Sequence, residues 1–329
     1  MTTKPVRFRK SLLISLLGGA LTAPLTWAAG PVSEIVIFGD SLSDSGNAFV
    51  LQRENNTPPN YDVNPLLIPD DAYARGGHHF TNGPTWAEQL GRSLGLAPDV
   101  GPAFRDANSR ATNYAVGGAR ANDDGLNINL PVQVRVFLQD FSGSASPDAL
   151  YGSASPDALY VVAFGGNDVR DALATAGAGG NPEPVIAAGV IAVGANILAL
   201  YNAGARKFIV WNAPNIGLIP AVQALGPDAV TSAGLLAQAF NTNLGVILAT
   251  LRSLPDITIT EFDLYGTFSA IHENPAAFGL TDVTHPCISP NDPPFVCKHP
   301  GTYLFWDGIH PTTAAHAIIA HDIAQLLDN

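Results

Sequence analysis

The chain has 329 residues, of which 47% are hydrophobic and 13% charged, and its formal net charge is −12. That apolar content supports a large buried core and excludes a disordered polypeptide. The acidic balance weighs against nucleic acid and anionic membrane surfaces as partners.

Residues 1–29 read as a segment removed on export. Lys4, Arg7, Arg9 and Lys10 make a basic start, residues 12–21 are apolar, and Thr26-Trp27-Ala28-Ala29 offers small residues for cleavage. The apolar run is too short and too broken by glycine to span a membrane. The pattern predicts a secretory signal of bacterial type, an extracellular or periplasmic product, and a single domain over residues 30–329. Loss of the four cations takes the net charge from −12 to −16. No other segment reads as a membrane span.

The first apolar, β-branched run, residues 35–38, stops abruptly at Gly39-Asp40-Ser41. It reads as a buried strand delivering a hydroxyl to the carboxyl edge of a sheet, where open α/β sheets bind ligands. Residues 49–83 lack periodicity and form a long surface excursion, ending in a helix over 84–94. A second strand, 111–116, runs into Gly117-Gly118-Ala119, and a helix follows over 131–141. Residues 143–151 are then repeated without change as 152–160. Only the second copy leads into an apolar strand, 158–164, so the first copy is read as a functionally neutral duplication. That strand ends in Gly165-Gly166-Asn167-Asp168. A helix over 184–202, with Pro184 near its start and Gly204 past its end, precedes a strand at 207–211. A helix over 231–254, a fifth strand at 257–262 and an irregular excursion over 272–304 lead to Asp307-Gly308-Ile309-His310-Pro311 and a terminal helix over 313–327. Strands alternating with helices imply a parallel sheet covered on both faces.

Two cysteines, Cys287 and Cys297, lie close together in the second excursion. In an exported chain they favour a disulfide closing a short loop. Free thiols, or a zinc site completed by the flanking His285 and His299, are the alternatives. Pro286 and Pro300 favour a stiff loop over the metal.

The ends of separate strands carry what acyl transfer requires. Ser41 supplies a hydroxyl, which attacks only if a base takes its proton, and His310 suits that role. Asp307, three residues earlier, can reach the other ring nitrogen and fix the tautomer. The tetrahedral oxyanion needs donors, which the N–H groups of Ser41 and Gly118 and the amide of Asn167 can supply. His316 and His321 fall on different faces of the last helix, and His78 and His79 have no metal-like neighbours in sequence. The pattern G-x-S-x-G fails because residue 43 is serine, which argues against an α/β-hydrolase.

Four blocks in order, Phe38 to Asp44, Asn113 to Ala119, Gly165 to Asp168 and Asp307 to His310, resemble the signatures of the GDSL (SGNH) esterase/lipase family. The resemblance implies a flavodoxin-like three-layer α/β/α sandwich around a five-stranded parallel sheet. It implies Ser41 as nucleophile, Gly118 and Asn167 as oxyanion donors, and Asp307 with His310 as the remaining pair. Gly117 is the rival for the glycine role, and Gly118 is preferred because it lies five residues after Asn113. Residues 80–86 and 274–283, with the cysteine pair, look like the secreted bacterial lipase, phospholipase and glycerophospholipid–cholesterol acyltransferase branch. The expectation is thus a secreted serine hydrolase of small-molecule or lipid esters, needing no metal or cofactor, with transient contact at a lipid interface. Acyl transfer to an alcohol, deacetylation of a polysaccharide, and a catalytically dead surface-binding relative are the alternatives.

Overall fold

The computed structural model describes residues 32–51, 78–105, 110–142, 154–288 and 296–328. The secretory segment, most of the first excursion and the first copy of the repeat lie outside them. A parallel sheet carries the fold, with strands β1 (Ile35–Gly39), β2 (Leu159–Ala163), β3 (Lys207–Trp211) and β4 (Thr258–Phe262) side by side in that order. Every residue of β1 and β2 is buried, which is why both read as unbroken apolar runs rather than alternating ones.

The five-stranded sheet expected from the sequence is a four-stranded one. Residues 111–116 do run parallel along the free edge of β1. Ile37 donates to the Thr112 carbonyl (2.9 Å), Tyr114 to Ile37 (2.7 Å) and Val116 to Gly39 (3.1 Å). The ladder is interrupted by the Gln133 side chain. Its amide oxygen takes the Gly39 N–H (3.0 Å), and its NH2 donates to the Gly39 carbonyl (2.8 Å). The Gly39 N–H is therefore spent on a helix side chain, and only a single bridge, Ile37 to Asn113, remains as regular pairing.

The helices are α1 (Asn47–Leu51), α2 (Trp86–Ser93), α3 (Leu130–Ser142), α4 (Gly166–Gly177), α5 (Glu183–Asn202), α6 (Pro220–Gln223), α7 (Pro227–Leu251), α8 (Leu264–Glu273) and α9 (Thr313–Asp328). They cover both faces. Phe137 of α3 meets Phe38 and Tyr160 edge-on at 5.6 and 5.9 Å, whereas Trp86 of α2 packs on Trp211 at 4.8 Å. Trp211 and Phe38 point to opposite faces, following the alternation of strand side chains. α5 and α7 pack together beside α3 and α4, and α2 packs on α9.

Four helices, α1, α4, α6 and α8, escape the sequence reading. α4 follows Gly165, whose φ of +123° suits glycine, and a Cβ there would meet Ala213 at 2.8 Å. α8 follows β4 directly through Asp263, whose carboxylate accepts the Gly266 N–H (2.8 Å) as an N-cap. α7 starts at Pro227, before the expected residue 231. By length and composition, α5 and α7 are apolar enough to cross a membrane, contrary to the expectation that no segment after residue 29 would be. Both are layer helices, with Val190, Val193, Ile197 and Leu200 of α5 and Phe240, Leu244 and Leu248 of α7 buried in the core.

The second excursion is less irregular than expected. It contains a parallel pair, β5 (Asp282–Pro286) and β6 (Tyr303–Phe305). Cys287 and Cys297 form a disulfide, and Cys297 N–H donates to the Cys287 carbonyl (2.8 Å). His285 Nδ1 faces the Asp282 carboxylate (3.1 Å).

Candidate active site

β1 delivers Ser41 through a tight turn. The Asp40 carbonyl accepts from Ser43 N–H (3.0 Å) and its carboxylate from Leu42 N–H (3.0 Å), leaving Ser41 at the turn's apex. Gly39 is required here because a Cβ would lie 2.8 Å from the Ser43 side chain. Burial pushes the Asp40 carboxyl up to about 6, against the Leu42 bond and the nearby His310, which lower it.

From the far end of the chain, Asp307 folds back on its own segment. One carboxylate oxygen accepts the N–H groups of Ile309 (2.8 Å) and His310 (2.7 Å), and the other meets His310 Nδ1 at 2.7 Å. His310 Nε2 lies 2.9 Å from Ser41 Oγ. With Nδ1–H donated to Asp307, Nε2 is the acceptor for the serine proton. Both Asp307 and His310 are buried. Phe80 packs against the imidazole at 5.2 Å, Thr81 Oγ donates to the Pro311 carbonyl (2.8 Å), and Asn82 accepts from Thr313 N–H (2.8 Å).

The sequence left Gly117 and Gly118 as rivals, and the backbone separates them. Gly117 N–H is committed to Asp44 (2.8 Å), and a Cβ there would collide with the Phe80 ring. Gly118 has φ +78°, open space beside its Cα, and an N–H that no described residue accepts. Ser41 N–H is likewise unengaged by any described residue. Asn167 donates one amide hydrogen to the Ala119 carbonyl (2.9 Å), which leaves the second available. Ser41 and Asn167 line one cavity. A hydroxyl coupled to an imidazole, with unengaged N–H donors close by, is suited to addition at a carbonyl and to holding the resulting oxyanion.

The sequence model for GDSL-like lipase/acylhydrolase matches residues 35–323. The chain belongs to that family. It is a carboxylic ester hydrolase. Two Arabidopsis thaliana proteins described as GDSL esterase/lipases are 28% and 27% identical to it. The first alignment covers 88% of this chain and 81% of the relative, the second 90% and 91%. An acetylxylan esterase of Geobacillus stearothermophilus, 15% identical, superposes with a TM-score of 0.45 over 91% of this chain and 96% of the other. These Arabidopsis relatives are plant proteins and lend no support to the bacterial origin and bacterial branch expected from the sequence.

In this GDSL chain several residues that sequence reasoning passed over hold the site together. Asp44 accepts N–H groups from Gly46 (2.8 Å), Asn47 (2.6 Å) and Ala48 (3.0 Å) as well as Gly117, binding the Ser41 loop to the Gly117-Gly118 loop. Burial pushes its carboxyl up, and those four bonds oppose the shift. Asn113 donates to the Ser43 carbonyl (2.8 Å) and accepts from Ala115 N–H (3.0 Å). Arg120, held by Asp171 at 2.8 and 3.1 Å, donates to the Gly118 carbonyl. Asp168 accepts from Ala121 (3.0 Å) and Asn122 (3.3 Å), and burial raises its carboxyl to about 6. The one available signal was position, since Asp44, Asn113 and Asp168 all sit inside the four blocks.

Behind the catalytic loop lies His316 of α9, buried, with no partner for Nδ1. Burial, reinforced by the nearby His79 and His310, pushes it down to about 3, so it is neutral in the folded protein. His79 pairs with Glu88 at 2.7 Å.

Proposed function

We propose that this hydrolase cleaves carboxylic esters outside the cell through an acyl-enzyme on Ser41. The observation that carries the reading is the unbroken contact from Asp307 through His310 to Ser41, at 2.7 and 2.9 Å. His310 takes the Ser41 proton as the hydroxyl attacks the ester carbonyl. The oxyanion is held by the N–H groups of Ser41 and Gly118 and the free amide hydrogen of Asn167. The imidazolium, stabilised by Asp307, then protonates the leaving alcohol. Water repeats the sequence on the acyl-serine, freeing the acid and restoring the enzyme.

Export is supported by the signal-like residues 1–29 together with the Cys287–Cys297 disulfide, a bond that persists in oxidising compartments. The test is covalent labelling with a serine-directed organophosphonate, mapped by mass spectrometry. Labelling at Ser41, abolished in Ser41→Ala together with a turnover loss of roughly 10⁴-fold or more, is expected. An active Ser41→Ala enzyme would overturn the mechanism.

A further inference from the structure

The cavity at Ser41 is small, about 40 Å3, and one wall is apolar, built by Pro214, Ile216, Ile219 and Phe268. A second cavity of about 650 Å3 adjoins it, sharing the lining residues Arg170, Ile219 and Ile309. The second cavity runs between α4 and α6–α7, over Leu173, Ala174, Val222 and Ala229, and its lining includes the 68%-exposed Leu225. Ala221 N–H donates to the Gly308 carbonyl (2.9 Å), so α6 is tied to the catalytic loop and the trough keeps its register with Ser41.

Taking Ser41 as the nucleophile, we propose that this trough holds the acyl chain of medium- to long-chain esters. The direction follows from the site. The departing alkoxide must lie against His310 Nε2, which protonates it. His310 lines neither cavity, and neither does Gly118. The limb of the ester that enters the trough is therefore the acyl limb, while the alcohol leaves on the imidazole side. The lining agrees, because among the described residues Arg170 and Asp228 are the only charged groups along the larger cavity.

The test is kcat/KM over nitrophenyl esters from acetate to palmitate. Burying each methylene in the trough raises kcat/KM roughly fourfold, so octanoate exceeds butyrate by about 200-fold. Two blocking variants lie at tolerant positions, Ala174→Trp on exposed α4 surface and Ala229→Trp on a half-buried turn of α7. Each lowers the octanoate-to-acetate ratio tenfold or more. A wild-type profile that peaks at acetate overturns the acyl trough, as do Trp variants, folded by circular dichroism, that keep the ratio within twofold. Either result leaves ester cleavage at Ser41 standing. Absence of hydrolysis on every ester, or unlabelled Ser41, fails the serine mechanism itself.

Discussion

Asp307→Asn separates orientation from mere support. Asparagine keeps an oxygen for the N–H groups of Ile309 and His310, at 2.8 and 2.7 Å in the wild type. Its NH2 then faces His310 Nδ1, which must become the acceptor, so Nε2 carries the hydrogen and points it at Ser41. The serine proton has nowhere to go. In serine triads the wrong tautomer costs roughly 10⁴ in kcat, equivalent to about 5 kcal/mol of barrier. Asp307→Ala loses the same catalytic contribution and also leaves two backbone N–H groups without an acceptor, at about 1–3 kcal/mol each if buried. Steady-state kcat on nitrophenyl butyrate, read beside urea unfolding of both variants, makes the distinction. The Asn variant should be inactive and nearly as stable as wild type, the Ala variant inactive and less stable. An Asn variant with kcat within tenfold of wild type would refute the argument that Asp307 fixes the tautomer.

Other consequences are measurable. His316 contributes stability that is fully present above its unfolded value of 6.5 and is lost as pH falls towards about 3. His316→Leu removes that loss, so between pH 6.5 and 4.5 the variant should gain about 2 kcal/mol relative to wild type in parallel urea titrations. A difference independent of pH would remove His316 as the cause. Asp40 and Asp168 act in the opposite sense: both are raised to about 6, so their stabilising protonation is present below the ordinary value of 3.8 and is lost as pH rises through 6. Asp168→Asn should therefore flatten the stability decline between pH 4 and 6, and an unchanged slope in the same titration would count against it. The two loop glycines should also part company. Gly118→Ala meets only backbone strain, roughly 1 kcal/mol, whereas Gly117→Ala must displace buried Phe80 and should cost several-fold more in thermal unfolding.

Much of the site was legible because its chemistry is written in short local blocks at strand ends. Ser41, Asn167, Asp307 and His310 each follow or precede a strong secondary-structure signal, so sequence order alone brought them to one edge. The fold was legible where strands were buried on both faces, as in β1 and β2. It was not legible where a side chain substitutes for backbone, as Gln133 does at Gly39, because nothing in the periodicity of residues 111–116 announces a distant competitor for the ladder. α4 was hidden because Gly165-Gly166-Asn167-Asp168 also spells a turn, and packing against Ala213 decides the matter. Spacing from Asn113 favoured Gly118 over Gly117, but the physical reason, an Asp44 carboxylate that takes the Gly117 N–H, is a contact between distant loops that spacing does not spell out.

The Gln133 amide has a mechanical meaning. By capping Gly39 on both its N–H and its carbonyl, it ends the edge pairing one residue before the chain turns outward at Gly117 and Gly118. The point at which the Gly117-Gly118 loop peels off the sheet is thus set from outside the sheet, by a side chain anchored on α3. A shift of that helix along its axis would carry the departure point with it, coupling the direction of the Gly118 N–H to the packing of α3 on the sheet.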